Sequence, residues 1–338
     1  MGRRSRVLKA AGLTLAGVLV LGIATAGWAY WHLNQNIKIV DINSALGDDR
    51  PAKAVSTPTA SASASASPLP SSALNILVLG SDSRSGKQNA KLGGGSSSGA
   101  RSDTAMVVHI DEGRTKATVV SIPRDTLVTR PSCPTSSGGT TSVAYNAMFN
   151  SAYSVGGPVC AVKTVESMTD VRMDHYIEID FSGFADLVDA LGGVTVTTDE
   201  DIDDDKSHLH LTAGEHHLDG TKALALARTR HGIGDGSDLG RIGLQQKLVK
   251  ALLEQISSTD LLADPTKLYQ VANAVTGSLT TDTGLDSLGE LMTFGQSLKG
   301  LSSADVKTVM MPVVTAPSDP NRVVANEPEA SALWESLK

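Results

Sequence analysis

The sequence predicts an α/β domain with a mixed, twisted β-sheet flanked by helices, preceded by one N-terminal transmembrane helix. Runs of β-branched residues alternate along the chain with segments that have the apolar spacing of amphipathic helices. Two of these runs are joined by the polar turn Glu112–Arg114, which indicates an antiparallel strand pair and therefore a mixed sheet. An uncharged apolar run near the N-terminus has the length of a membrane span.

The N-terminal segment is typical of a membrane anchor. Residues 1–9 are basic and precede the uncharged apolar run Ala10–Trp31, which matches the ~20 residues that cross a bilayer. The basic cluster predicts a single-pass protein with its N-terminus in the cytoplasm and the rest of the chain outside. The alternative is a cleaved signal peptide, since Ala24-Thr25-Ala26 resembles a cleavage site. The apolar run continues past that site, which favours the anchor.

The remaining chain divides into a linker region and one domain. Residues 32–73 are a juxtamembrane segment followed by a Pro/Ala/Ser tract without periodicity, a composition that predicts a flexible tether. Residues 74–338 have the composition of a globular domain long enough for one large core. The net charge of −7 and the predicted external location argue against a nucleic-acid partner. Cys133 and Cys160, the only cysteines, are expected to form a disulfide, because two thiols are too few for a metal site.

The elements of the domain follow from local patterns. Strands are predicted where β-branched runs occur, at Ile76–Leu79, Thr104–Asp111, Ala117–Ile122, His175–Asp180, Val194–Thr197 and Val306–Val314. Helices are predicted where apolar residues have helical spacing, at Gly157–Thr169, Phe181–Leu191, Leu218–Arg228 and Arg241–Ser257.

Acidic and basic residues surround the end of the first strand. Asp82 and Arg84 follow it, and Arg101 and Asp103 precede the next strand. Carboxylates can hold Mg²⁺ while guanidinium groups clamp phosphate oxygens, so these residue types together indicate a metal-assisted phosphate site. The alternative is a pair of surface salt bridges.

Further arginines occur at the ends of predicted elements. Arg124 ends a strand, Arg228 and Arg230 end a helix, and Arg241 lies one helical turn before Gln245. Site loops of α/β sheets cluster at such ends, and the planar fork of arginine suits a diphosphate. The alternative is that these arginines cover a solvated surface.

Other site types are disfavoured. A P-loop needs four residues between its glycines and Ser or Thr after its lysine, whereas five separate Gly80 from Gly86 and Gln88 follows Lys87. No G-x-S-x-G nucleophile motif occurs. A zinc site remains an alternative where histidines follow Asp203–Asp205, although that stretch has the pattern of a polar hairpin; the histidines are His208, His210, His216 and His217.

Six segments in order resemble the LytR–CpsA–Psr family of bacterial cell-envelope glycopolymer transferases. They cover roughly residues 74–253 and read NILVLGSDSR, RSDTAMVV, SIPRDT, DHYIEIDFSGFADLVDALGGV, LDGTKALALARTRH and SDLGRIGLQQ. The resemblance implies a fold that encloses a hydrophobic tunnel for a polyprenyl chain, with the diphosphate at its polar mouth. It departs from the family at Leu244, where many members have a basic residue, and in the long Gly/Ser-rich loop 85–100.

The resemblance also implies roles for individual residues. Asp82 and Asp103 would hold Mg²⁺ (or Mn²⁺). Asp103, Arg101 and Arg124 would act at the reacting phosphate. The residues expected to bind the diphosphate are Arg84, Arg228, Arg230, Arg241 and Gln245, together with Lys163, whose match is loose.

The implied activity is transfer of a glycopolymer from a polyprenyl-diphosphate carrier to a peptidoglycan hydroxyl, which forms a phosphodiester link. The implied partners are that lipid-linked donor, peptidoglycan and membrane lipid. Two alternatives remain open. A polyprenyl-diphosphate phosphatase or pyrophosphatase would use the same site with water as acceptor, and a non-catalytic envelope-regulatory protein would need none of the arginines.

Overall fold

The computed structural model describes residues 23–53, 72–81, 102–135, 138–230, 238–259 and 264–338 of the 338-residue chain. For residues 102, 103, 238 and 239 it describes the backbone alone. No helix within these ranges is both long and apolar enough to cross a membrane. Most of the predicted anchor lies outside the described residues.

A central sheet of seven strands organises the domain. From one side of the sheet to the other, its strands are β1 (Lys38–Val40), β12 (Leu279–Asp282), β7 (His175–Asp180), β2 (Leu74–Ser81), β3 (Ser102–Ile110), β4 (Ala117–Ile122) and β13 (Val306–Met310). β2 runs parallel to β7 and antiparallel to β3, and β4 is antiparallel to β3 and parallel to β13. The sheet is therefore mixed, as predicted.

Four two-stranded sheets surround the central one. They pair β5 (Leu127–Arg130) with β6 (Ala144–Met148), β8 (Val194–Thr198) with β11 (Gly214–Leu218), β9 (Ile202–Asp204) with β10 (Leu209–Leu211), and β14 (Val313–Ala316) with β15 (Asp319–Ala325).

Helices flank the sheet. They are α1 (23–36), α2 (Ile42–Leu46), α3 (Asn150–Thr169), α4 (Phe181–Leu191), α5 (Gly220–Arg228), α6 (Asp238–Ser258), α7 (Pro265–Ser278), α8 (Leu288–Ser297) and α9 (Glu329–Glu335), with a 3₁₀ turn at Ser303–Asp305. One face of the sheet packs with α2, α3 and α9 around a large apolar core that includes Leu77 and Trp334. The other face packs with α6 and α8 around Ile76 and Met106.

The structure revises three predicted elements. The strand predicted at Val306–Val314 is two strands, because Pro312 cannot donate a ladder hydrogen bond. The helix predicted from Gly157 begins earlier, and the Gly156–Gly157 pair forms a kink within it. The helix predicted from Leu218 begins at Gly220, since Leu218 ends β11 and the Asp219 side chain caps the helix.

The folded part of the chain extends N-terminal to the predicted domain start at Leu74. β1 is an edge strand of the central sheet, parallel to β12. Arg50 forms a buried salt bridge with Glu166 on α3, at 2.6 Å. Asp174 contacts both sides of the Pro/Ala/Ser tract: its carboxylate lies 3.4 Å from the Lys53 ammonium and accepts a 3.0 Å hydrogen bond from the Asn75 backbone. The tract therefore begins and ends on one folded body.

The predicted disulfide is present. Cys133 and Cys160 are bonded to each other and fully buried. The bond ties the loop after β5 to α3, just beyond the kink at Gly156–Gly157. Neither cysteine is left for metal binding or thiol chemistry.

Candidate functional site

The site is built at one edge of the central sheet, where β2, β4 and β7 end and β3 begins. Ser81 at the end of β2 pairs with Ser102 on one side and with Asp180 on the other. Ala105 near the start of β3 pairs with Ile122 at the end of β4. Ser81 and Ser102, which directly precede Asp82 and Asp103 in the sequence, therefore lie side by side at this edge. Asp82, Arg84 and Arg101 lie outside the described residues, and Asp103 is described by its backbone.

Gln245 joins this edge to the end of helix α5. Its side-chain amide donates to the Thr104 hydroxyl on β3 and to the Ala227 carbonyl, both at 2.9 Å. The side chain is buried, with 6% of the residue exposed. Because Ala227 directly precedes Arg228, this bridge fixes the position of Arg228 relative to the start of β3.

Arg228 also contacts the end of β7. Its guanidinium carbon lies 5.3 Å above the ring of Phe181, the residue that follows β7. A cation over an aromatic face is attracted by the ring quadrupole, and the ring holds the planar group in one orientation. Phe181 was missed by sequence reasoning, although its place directly after a strand could have suggested it.

The glycine at the end of β2 allows these elements to approach closely. A Cβ added to Gly80 would lie 3.1 Å from the Thr104 Cβ and 3.7 Å from the Phe181 ring. A side chain there would push β3 and Phe181 away from β2. The close packing keeps the end of β2, the start of β3 and the platform under Arg228 in one compact unit.

Arg124 enters the site from the end of β4. It lies in a turn that begins at Pro123, whose carbonyl accepts a 3.1 Å hydrogen bond from the Thr126 amide. Asp125 lies between two guanidinium groups, 3.8 Å from Arg124 and 3.7 Å from Arg322 on β15. Arg322 was not predicted, because it lies beyond the segments that carry the resemblance.

Two further arginines lie on the elements that frame the site. Arg241 is 3% exposed on the first turns of α6, one helical turn before Gln245, as predicted. The backbone amide of Arg230 donates to the buried Asp204 carboxylate at 2.9 Å, which anchors the chain after α5 to the β9–β10 hairpin. Leu244, where the resemblance implies a basic residue, is buried in an apolar cluster between α6 and β8.

The structure does not bring Lys163 to these residues. Its ammonium lies 2.7 Å from the Asp49 carboxylate, beside the Arg50–Glu166 pair. The backbone of α3 meets the site at its start, where the Asn150 amide donates to the Arg124 carbonyl. Thirteen residues, which include the Gly156–Gly157 kink, separate that point from Lys163 in the sequence.

The histidines do not gather into a zinc site in the described part of the chain. His217 contacts the Gly192 carbonyl and His216 contacts the Thr212 carbonyl. Among the described residues, the side chains close enough to share a metal ion are those of Asp203, Asp205 and His210, and all three are exposed on the β9–β10 hairpin.

A buried carboxylate network supports the end of β2 from the other face of the sheet. Glu178 on β7 accepts hydrogen bonds from the hydroxyls of Tyr153 and Tyr176, both at 2.7 Å. Burial raises the pKa of both phenols, and the hydrogen bonds to Glu178 raise it further. Both tyrosines therefore remain neutral donors that hold the carboxylate in place at physiological pH.

The two faces of the sheet differ in accessibility. On the α3 face, Leu77, Leu79 and Val107 are fully buried. On the α8 face, the neighbouring residues Val78, Val108 and Ile177 are only partly buried, although they lie on central strands beneath helices. Partly buried apolar side chains therefore lie between the central strands and α6 and α8, on the face of the sheet that Gly80 and Thr104 share by alternation.

Comparisons with known proteins agree with this architecture. The LytR_cpsA_psr family profile matches residues 29–338. A probable cell wall biosynthesis protein, LcpB of Corynebacterium glutamicum, is 31% identical over 96% of this chain and 70% of its own length. The polyisoprenyl-teichoic acid–peptidoglycan teichoic acid transferase TagV of Bacillus subtilis is 31% identical over 70% of this chain and 58% of its own length. The crystal structure of B. subtilis TagV superposes with a TM-score of 0.59 at 26% identity, covering 80% of this chain and 97% of that one.

Proposed function

Because this chain belongs to the LytR–CpsA–Psr family, we propose that it is a phosphotransferase anchored in the membrane with its catalytic domain outside the cell. It would move a glycopolymer from a polyprenyl-diphosphate carrier to a hydroxyl group of peptidoglycan. Relatives of this chain, among them TagV, are named as polyisoprenyl-teichoic acid–peptidoglycan teichoic acid transferases.

The observation that carries the proposal is the pair of hydrogen bonds by which Gln245 joins the start of β3 to the end of α5. Arg124 follows β4, Arg228 ends α5, and Gln245 on α6 bridges the α5 end to β3. A diphosphate bound at this edge would draw the guanidinium groups of Arg124 and Arg228 to one anionic ligand and offset their mutual repulsion. A diphosphate supplies several oxygens that suit the planar arginine fork.

The proposed reaction is an in-line displacement. A peptidoglycan hydroxyl attacks the phosphorus next to the glycan, and the bond from that phosphorus to the bridging oxygen breaks. Polyprenyl phosphate leaves with the bridging oxygen, and the hydroxyl proton passes to a general base, for which Asp125 is our candidate. Arg228, held against Phe181, would stabilise the negative charge that grows on the leaving phosphate.

Magnesium is the proposed cofactor, and the donor chemistry at the edge fits it. Asp82 and Asp103 would be its ligands, since carboxylate oxygens are what Mg²⁺ prefers. The β2–β3 pairing at Ser81 and Ser102 supports this assignment, because it brings the two segments side by side. When bound, the ion would neutralise diphosphate charge.

The polyprenyl chain would lie between the central sheet and helices α6 and α8, behind the site. This proposal is supported by the partial burial of Val78, Val108 and Ile177 on central strands, opposite Phe294 and Leu298. A hydrocarbon chain placed against these side chains would hold its diphosphate at Gly80 and Thr104.

Product analysis tests the proposal. The full chain, reconstituted with a polyprenyl-diphosphate-linked glycan, Mg²⁺ and peptidoglycan, should yield glycan joined to peptidoglycan by a phosphodiester and release polyprenyl phosphate. Soluble glycan phosphate without attachment would identify a phosphatase, and no turnover would identify a non-catalytic protein. Asp103→Ala should abolish the Mg²⁺-dependent turnover and leave the unfolding midpoint unchanged, and undiminished turnover would refute its role as a ligand.

A further inference from the structure

Helix α1 is joined to the domain without a flexible connection. Leu33 and Ile37 at its end are 6% and 7% exposed, and the chain passes at once into β1 of the central sheet. Ile39 on β1 pairs with Thr281 on β12. The direction of α1 is therefore fixed relative to the whole sheet.

Helix α1 also contacts the start of α8. The Asn34 side chain accepts a 2.9 Å hydrogen bond from the Leu288 amide. Tyr30 lies close to Gly289, the residue after Leu288, since a Cβ added to that glycine would be 3.5 Å from the Tyr30 hydroxyl oxygen. Asn36 donates to Asn273 on α7 at 3.3 Å. These contacts place α8 beside the residues at which the predicted anchor ends.

The surface around this contact is apolar and exposed. On α1, Trp28, Tyr30 and Trp31 are 58%, 50% and 60% exposed. Met292 is 54% exposed and lies three residues after Gly289, on the stripe of α8 that faces Tyr30. Large aromatic side chains at this density are typical of the interface between lipid and water.

Sequence and packing indicate what covers this surface. No charged residue occurs from Ala10 to Ile37, a run longer than the ~20 residues that cross a bilayer, so its last turns lie at the membrane surface. Helix α8 has no buried residue, although Phe294 and Leu298 pack against the apolar cluster beneath it. A helix with so little burial is held weakly on the sheet and can move aside at small cost.

We propose that α8 lies on the outer surface of the bilayer beside α1 and forms the entrance through which the polyprenyl chain passes from the membrane to its proposed place between the sheet and α6 and α8. The partner is a lipid surface, met by Met292 and the α1 aromatics together. This inference rests on the proposed function and on the predicted anchor. It adds a docking face and a route for the lipid that do not follow from the chemistry at the sheet edge.

Lipid-dependent quenching tests the docking independently of activity. Because both cysteines are in the disulfide, Met292→Cys can be labelled alone with an environment-sensitive fluorophore. Val314→Cys, on the exposed β14 and 44% exposed, is the matched control. In vesicles of phosphatidylglycerol and phosphatidylcholine that contain spin-labelled lipid, we expect quenching at residue 292 and none at 314. Equal quenching at both, or none at 292, would overturn the docking.

A comparison of two glycan donors, which differ in the length of the lipid chain, tests the entrance separately from the catalytic chemistry. Met292→Asp should lower transfer from a long-chain polyprenyl donor in vesicles and leave transfer from a short-chain, water-soluble donor unchanged, with Met292→Leu as the control. Equal loss with both donors would overturn the entrance. If the unmodified protein uses neither donor, the proposed function fails while quenching at residue 292 still decides the docking. Recovery of a soluble protein that begins near Gly27 would overturn both the anchor and the docking.

Discussion

Replacing Gln245 with alanine should uncouple helix α5 from the sheet edge. The side chain is buried and donates to Thr104 and to the Ala227 carbonyl, so the change removes both hydrogen bonds at once. A net contribution of about 1 kcal/mol per neutral hydrogen bond gives a loss of about 2 kcal/mol in the free energy of unfolding. For a domain as long as residues 74–338, an unfolding entropy of about 2.1 cal/mol/K per residue converts that loss into a fall of roughly 3–4 °C in the melting temperature.

The effect on transfer should exceed the effect on stability. Arg228 follows Ala227 directly, so its position over Phe181 depends on the same bridge. Loss of that position should lower kcat at temperatures where the variant is fully folded. Chemical denaturation followed by circular dichroism measures the first effect, and transfer rates well below the melting temperature measure the second.

Gln246→Ala is the matched control. This neighbouring glutamine makes a longer bond, 3.3 Å to the Ser121 hydroxyl. We expect a loss of less than about 1 kcal/mol in the free energy of unfolding and little change in kcat. If Gln245→Ala and Gln246→Ala lose equal stability and equal rate, Gln245 does not couple the two elements.

Three further outcomes are expected. Arg228→Lys should lower the transfer rate tenfold to a hundredfold, because a charge-assisted hydrogen bond to phosphate is worth about 1.5–3 kcal/mol. As the control, Arg172→Lys at the opposite sheet edge should leave the steady-state transfer rate unchanged. Replacing Cys133 and Cys160 together by serine should lower the free energy of unfolding by about 3–4 kcal/mol in denaturant titrations, with transfer retained below the melting temperature. Burial raises the pKa of Asp282, but hydrogen bonds from His175, Tyr176 and Gly284 outweigh it and hold that pKa below its usual range. Its contribution to stability should therefore be complete at neutral pH and be lost below about pH 4, so the stability difference from Asp282→Asn should shrink as pH falls through that window.

The strands and helices that carry the motifs could be predicted because their local patterns and their burial agree. His175–Asp180 and Phe181–Leu191 have the predicted bounds, since alternation specifies the strand and the Gly192–Gly193 pair ends the helix. Strand β12 was missed, because LTTD is short and its place in the sheet depends on pairing with β1 and β7. Helices α7 and α8 follow the last motif and were missed as well.

The sequence predicts which residues belong to the site more readily than it predicts which residues contact one another there. Arg241 and Gln245 were placed on one face of a helix by their spacing, which the structure confirms. The platform that Phe181 forms under Arg228 joins residues 47 positions apart, and no local pattern encodes such a pair. Lys163 was assigned on a loose match, and a single basic residue on a helix carries no information about which neighbour it meets.

Asp174 holds both sides of the Pro/Ala/Ser tract through Lys53 and Asn75, and this arrangement changes what the tract can do. A tract fixed at both ends to one body adds nothing to the reach of the enzyme. Its length can vary among related proteins at little cost, because doubling a loop adds only about 0.6 kcal/mol of closure entropy. With α1 joined directly to β1, the sheet edge would stand at one height above the bilayer, set by the fold. For the proposed transfer, the acceptor hydroxyl would have to come to that height, so the geometry would select peptidoglycan strands at a set distance from the membrane.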